Sequence, residues 1–359
     1  MAGRARNSYH RYYGRSRGSL VLKVVLILLA LLVAAALVFL FVLDGRIERT
    51  DNGLRLVLPG SADYPTDPQP SQTGSDPVII IQDPEPTPTP SEPEESNDLE
   101  PLRAVEVTAA QLLDGTAAQV VADAGGNAAV VTMKNAYGRL SWQSGVGLAA
   151  ELGASARDDS VARAVAELAG TGGLRLVARV SCFRDQALVR GKVGGPLMTR
   201  GGNVWYDQQG LCWVSAADST VRSYLTALCT ELAGMGFDEI LLECAGFPDA
   251  GEVHVLAESD LCPADRAGPA AQFLQEVRTA LAQQEVTLSV LTTAEAVTGE
   301  NAGSGVTAAA LVQYADRVWL APAALAEDPV QVLQEAGLEG AGRVVLLDDT
   351  AADSWAQLS

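Results

Sequence analysis

The chain has 359 residues, a formal net charge of −19 and an apolar fraction of 48%. So large an acid excess argues against nucleic acid as a partner, because phosphate binding needs clustered Lys and Arg. The 5 cysteines are scattered without a C-x-x-C pair and the 2 histidines are His10 and His254, so zinc-ligand spacing is absent and neither a metal nor a cofactor is implied.

Residues 24–43 (VVLILLALLVAAALVFLFVL) carry no charge. At about 1.5 Å per helical residue they are long enough to cross a hydrocarbon core of about 30 Å. Arg4, Arg6, Arg11, Arg15, Arg17 and Lys23 precede this run with no acid among them. The positive-inside rule then keeps the N-terminus cytoplasmic and exports everything after Leu43. A cleaved signal peptide would have a shorter apolar core and a small-residue cleavage site, which Asp44-Gly45-Arg46 does not offer. The expected organisation is a basic cytoplasmic tail over 1–19 and a single transmembrane anchor over 20–43. A Pro-rich, acidic extracellular linker over 44–101 and a folded domain over 102–359 follow.

Within the linker, residues 46–58 alternate around Asp51-Asn52-Gly53, a hairpin signal. From about 61 to 101 the chain is dominated by Pro, Ser, Thr, Asp and Glu, as in DPEPTPTPSEPEES. Such a segment buries too little apolar surface to offset its ordering entropy and is expected to be an extended, disordered stalk.

After Leu102 short apolar runs alternate with alanine-rich amphipathic segments. Strands are expected at 103–109, 128–134, 174–183, 238–244, 287–293, 317–322 and 343–349, with helical patterns such as TAAQVVADA, SVARAVAELA and AAQFLQEVRTALAQQ between them. Repeated βα units imply a parallel sheet with right-handed crossovers. Near-continuous apolar strands without a GxGxxG fingerprint favour an α/β fold of the (β/α) TIM-barrel type over a dinucleotide-binding sheet. An eighth strand is not evident, because the chain stops at SWAQLS soon after the seventh.

A barrel builds its site from residues at the C-terminal ends of its strands. The run GFDEILLECAGFP (236–248) places Glu243 at such an end. Other polar groups at equivalent positions are Lys134 with Asn135, Arg184 with Asp185, Glu295, and Asp348 with Asp349. A long Gly-rich insert, 191–215, carries Trp205, Tyr206 and Trp213, whose rings could stack on sugar faces. Glu243 has a second reading as a strand-end acid paired with Lys134. Asp185 reads rather as a helix cap or a local ion pair with Arg184, and Asp348-Asp349 rather as a cap for a last helix. Trp205 and Trp213 could instead pin the insert onto the barrel.

The stretches NAAVVTMKNAYGR, ARVSCFRDQAL, Trp205-Tyr206-Asp207 with Cys212-Trp213-Val214, and above all GFDEILLECAGFP resemble the bacterial putative glycoside hydrolases with a TIM-barrel fold. That family reads approximately VIDVKDDxG, ARIVxFKD, W-D…G…W-V and GFDEIQFDYIRFP. The resemblance runs from about 102 to 349, in order. It implies a glycan partner, a polysaccharide or peptidoglycan-associated glycan. With the strand-end positions it makes Glu243 the principal catalytic carboxylate, with Lys134, Asp185 and Glu295 as further catalytic candidates and Trp205, Tyr206, Trp213 and Asp348 as substrate contacts. Departures fall at Glu243 (Asp in the family), Gly246 (Arg), Asn135 and Ala136 (acids), and 321–328, where a Tyr and a His are replaced. Glycoside hydrolysis needs two carboxyl groups, and Glu295, after the strand next to that of Glu243, is the expected acid. Loss of catalysis with retained glycan binding, or a protein-binding head, are the competing readings.

Overall fold

The computed structural model describes residues 47–50, 53–56, 98–321, 323, 325 and 327–358. The predicted anchor at 24–43, its basic tail and most of the stalk lie outside the described residues. Among the described residues no helix is long and apolar enough to cross a membrane. Two units divide the chain, Met1–Pro88 and Thr89–Ser359. In the first, β1 (Ile47–Thr50) and β2 (Gly53–Leu56) pair antiparallel with Ile47 opposite Leu56, the hairpin that the Asp51-Asn52-Gly53 turn predicts.

The second unit is a barrel of eight parallel strands closed in sequence order. They are β3 (Arg103–Val107), β4 (Ala128–Lys134), β5 (Arg175–Ser181) and β6 (Glu239–Glu243), then β7 (Thr287–Thr293), β8 (Arg317–Ala321), β9 (Val344–Leu347) and β10 (Trp355–Gln357). The expected absence of a regular eighth strand is corrected by β10. It slots between its neighbours with Trp355 beside both Leu346 and Arg103, and Ala356 beside Ala104. Nor, among the described residues, is there a final helix for Asp348-Asp349 to cap. The Asp349 side chain accepts the Ala351 N–H at 3.2 Å in a turn, and Asp348, at φ +59°, donates its N–H to the Ala356 carbonyl. Three residues suffice to close the ring because both edges already wait as β9 and β3.

Side-chain alternation sorts each strand into two layers. Ala104, Val130, Val177, Leu241, Trp319 and Val345 fill the barrel interior. Their neighbours, such as Val105, Val131, Leu176, Ile240, Leu288 and Val318, pack outward in a second cluster with the helices. Local chemistry starts the helices: Thr108 and Gln111 form a capping box, and Asp218 accepts the N–H groups of Thr220 and Val221 ahead of the helix Ser219–Gly234. Asp328 caps the helix Pro329–Glu335, whose first residue needs no N–H partner.

The lower end of the interior holds a charge. Glu239, the first residue of β6, is fully buried and pairs with buried Arg317. It also accepts from Ser289 Oγ at 2.6 Å and Trp319 Nε1 at 2.9 Å. The Arg317 guanidinium is completed by the carbonyls of Gly342 and Glu100. A buried ion pair is tolerable only when its remaining hydrogen bonds are met in this way.

Candidate functional site

Glu243 closes β6 at the opposite end of the barrel, where the strand-end rule predicts a working carboxylate. Its partner is Arg179, not Lys134. Arg179 Nε donates to Glu243 Oε2 at 2.7 Å, and Arg179 Nη1 to Glu106 Oε2 at 3.0 Å. Thr132 Oγ1 fixes the other Glu106 oxygen at 2.7 Å. Burial works against the Arg179 cation, but the two carboxylates outweigh it and push its pKa above the ordinary arginine value. Glu243 thus has an arginine partner on the adjacent strand β5, although position 246 is a glycine. Period two signals it in the sequence, because Arg175, Val177, Arg179 and Ser181 alternate with outward-facing apolar residues. Glu106 shows the same signal in RAVEV.

Lys134 turns away because of a register shift. Thr132 lies beside Arg179, but Lys134 lies beside Val180, so the chain gains a residue between them. The shift moves Lys134 from the interior layer to the outer one, since a one-residue slip exchanges the two faces. There it forms a 2.8 Å ion pair with Asp185, both side chains fully buried or nearly so, and donates to the Ser181 carbonyl. Asp185 also caps the helix Gln186–Arg190 through the Leu188 N–H. The expected contact between Glu243 and Lys134 is corrected on this ground. Asp185 is a helix cap and ion-pair member, with Lys134 rather than Arg184 as its partner.

After Glu243 the chain bends sharply. Cys244 adopts φ +52°, a left-handed conformation that costs energy for a residue with a Cβ. Gly246 is held against the 302–306 loop: Phe247 N–H donates to the Ser304 carbonyl at 2.8 Å, and a Cβ on Gly246 would meet that oxygen at 2.2 Å. An arginine there has no room. Arg266 lies over the Phe247 ring at 5.7 Å and donates to the Gly303 carbonyl, tying the two loops together.

This bend opens a cleft of about 240 Å³ lined by Glu243, Cys244, Phe247, Asp249, Leu291 and Trp213 among others. Asp249 brings the second carboxyl, which the sequence reading missed because it sits past Pro248 and looks like any polar loop residue. Burial pushes its pKa up, and nearby Glu295 adds to that effect, while a backbone hydrogen bond opposes it. Glu295 itself stands in the first turn of the helix Ala294–Thr298, half-buried, and is not part of the cleft lining. A second cavity of about 210 Å³ adjoins the first and shares Trp213, Cys244 and Asp249 with it.

The insert folds back over this region through short antiparallel bridges, Pro196 with Val214 and Tyr206 with Cys212. Asp207 organises it, accepting from Arg184 Nε at 2.6 Å, from Trp213 Nε1 at 3.1 Å and from the Leu211 N–H. Burial disfavours the Asp207 anion, yet these donors together hold its pKa below the usual range. Trp205 is 2% exposed, with its indole N–H on the Glu252 carbonyl, and it forms part of the second cavity's wall. Trp213 lines the cleft while 8% exposed. Tyr206 is exposed, and Asp348 lies on the exposed turn before β10. All 5 cysteines are free, Cys182 and Cys229 deeply buried. Among the described residues no group of three or more His, Cys, Asp or Glu side chains is placed to hold a metal ion.

Residues 104–319 match a family model described as a putative glycosyl hydrolase domain. A hypothetical protein from Ruminiclostridium thermocellum is similar in structure, with 23% identity over 52% of this chain and 96% of that one and a TM-score of 0.45. The PgaB (BpsB) glycoside hydrolase domain from Bordetella bronchiseptica has 14% identity over 68% and 83%, with a TM-score of 0.48. A Group IV chitinase from Ostrinia furnacalis has 13% identity over 69% and 66%, with a TM-score of 0.41. A comparison with curated proteins gives no match.

Proposed function

The chain belongs to the putative glycosyl hydrolase domain family, and from that premise we propose that it hydrolyses a cell-surface polysaccharide with Glu243 and Asp249 as its carboxyl pair. The observation that carries this reading is that both line one cleft at the barrel mouth in unlike surroundings. Glu243 is held by a guanidinium, which suits a carboxylate that works as nucleophile or base. Asp249 is biased by burial and by Glu295 toward its protonated form, which suits the acid. In the net reaction the C1–O bond breaks and its electron pair leaves with the oxygen, which takes the Asp249 proton. Water supplies the hydroxyl at the anomeric carbon and a proton that returns to the carboxyl pair. The test is reducing-end release from a glycan panel by the full-length protein in detergent, with Glu243→Gln as control; a wild-type protein that cleaves nothing overturns the reading.

The charge asymmetry about residues 24–43 supports a single-pass membrane protein with a cytoplasmic N-terminus and the barrel outside, tethered to the bilayer by residues 24–43. Protease added to intact cells is expected to release a soluble barrel fragment by cutting within 61–101. Full protection from protease contradicts that topology. A second reading, glycan binding without cleavage, is favoured by the closure of the loop around Gly246 where the family carries Arg. It predicts retained binding with no reducing ends released.

A further inference from the structure

The two adjoining cavities at the mouth differ in chemistry in a way that divides a glycan between them. The first has walls of Ala245, Phe247, Leu291, Val306, Ala321 and Leu347 around Glu243 and Asp249. Its side-chain hydroxyls are those of Thr292, Thr293 and Ser304, and two are already engaged: Thr293 accepts the Ala296 N–H and Ser304 the Val306 N–H. The second is the more polar of the two, with Arg184, Asp207, Gln208 and Gln209 beside the rings of Trp205 and Trp213, and Asp249 at the junction. Glu243 faces only the first cavity, and Asp249 lines both.

We propose that the first cavity is the subsite for the sugar that loses its anomeric bond, that it selects an N-acylated amino sugar, and that the leaving portion of the glycan lies in the second. This deepens the glycosidase reading and rests on it. The acid that protonates a linking oxygen must stand between the two sugars, and Asp249 does. Glu243 must face the anomeric carbon, which puts that ring in the first cavity. A ring bearing only hydroxyls would turn several of them against apolar walls and lose water hydrogen bonds without replacement. An acyl group instead gives those walls a methyl. Its N–H has a carboxylate acceptor in Glu243, and its carbonyl has hydroxyl donors in Thr292 and in Ser304, whose O–H proton is not used in accepting the Val306 N–H. A deoxy sugar would satisfy the walls but leave these polar groups without partners.

The experiment is saturation-transfer NMR on full-length wild-type protein in detergent, with free sugars that hold no glycosidic bond to cleave. The probes are N-acetylglucosamine, N-acetylgalactosamine and N-acetylmannosamine, each against its parent hexose, which removes any dependence on linkage. At least one acylated sugar is expected to bind about tenfold more tightly than its parent, with the acetyl methyl the most strongly saturated signal. Val306→Asn is expected to abolish that preference. Equal binding of parent and acylated sugars, a methyl that receives no saturation, or no binding by any acylated sugar overturns the proposal. The outcomes separate it from the reading it rests on: acylated sugars that bind while no glycan is cleaved leave the subsite standing and remove the hydrolase, and cleavage of an unacylated glycan does the reverse.

Discussion

Strand β6 begins and ends with a glutamate facing the barrel interior, and the two have opposite fates. Glu239 is fully buried and receives Arg317, Ser289 and Trp319, so its acceptor capacity is used by the fold. Glu243, four residues on, is 24% exposed, takes Arg179 on one oxygen and opens onto the cleft. The same side chain on the same face of the same strand is structural where its partners are saturated and available for chemistry where they are not. Depth along the barrel axis decides which, as expected of a fold that keeps its packed core below and its site above.

The same substitution at both positions is the sharpest way to break this comparison. Glu243→Gln is expected to lower kcat/KM on the cleaved glycan by about 10⁴-fold with an unchanged thermal midpoint, since it removes the acting carboxylate. Glu239→Gln leaves Arg317 buried without its counter-charge and is expected to cost about 3–5 kcal/mol of unfolding free energy, read from urea denaturation. If the two effects exchange places, the division between structural and working glutamate is wrong.

Asp249→Asn comes next, with an expected loss of about 10²- to 10³-fold on a natural glycan and a far smaller one on an aryl glycoside whose leaving group needs no proton. The sign of its pH dependence follows from the raised pKa. The acid is present below that pKa and lost as pH rises through it, so the alkaline limb of the wild-type profile should vanish in Asp249→Asn. The smallest effect belongs to Arg179→Met, expected to reduce kcat/KM about tenfold, because Glu243 and Glu106 lose the guanidinium that holds them in place. An unchanged kcat/KM would reduce Arg179 to packing.

What could be read from the chain follows the same physical lines. Seven strands were legible because each is a near-continuous apolar run bounded by turn residues, whereas Trp355–Gln357 is too short to show a period and becomes a strand only by filling a gap between β9 and β3. The position of Glu243 was legible from the strand-end rule. Its partner was not, because the shift that turns Lys134 outward leaves no mark in AAVVTMK. Arg179 and Glu106 were visible in principle as charges on the inward period of apolar strands. Asp249 carried no local signal: only the fold of the 302–306 loop against Gly246 and Phe247 makes it part of a cavity.

The central claim, that Glu243 and Asp249 act as one hydrolytic pair, is tested most directly by kcat/KM for wild type, Glu243→Gln, Asp249→Asn and the double variant on a single cleaved glycan. Groups that act in one step are strongly non-additive, so the double variant is expected to be about as slow as Glu243→Gln alone. Losses that multiply, or an Asp249→Asn variant that cleaves the natural glycan at the wild-type rate, would contradict the pair.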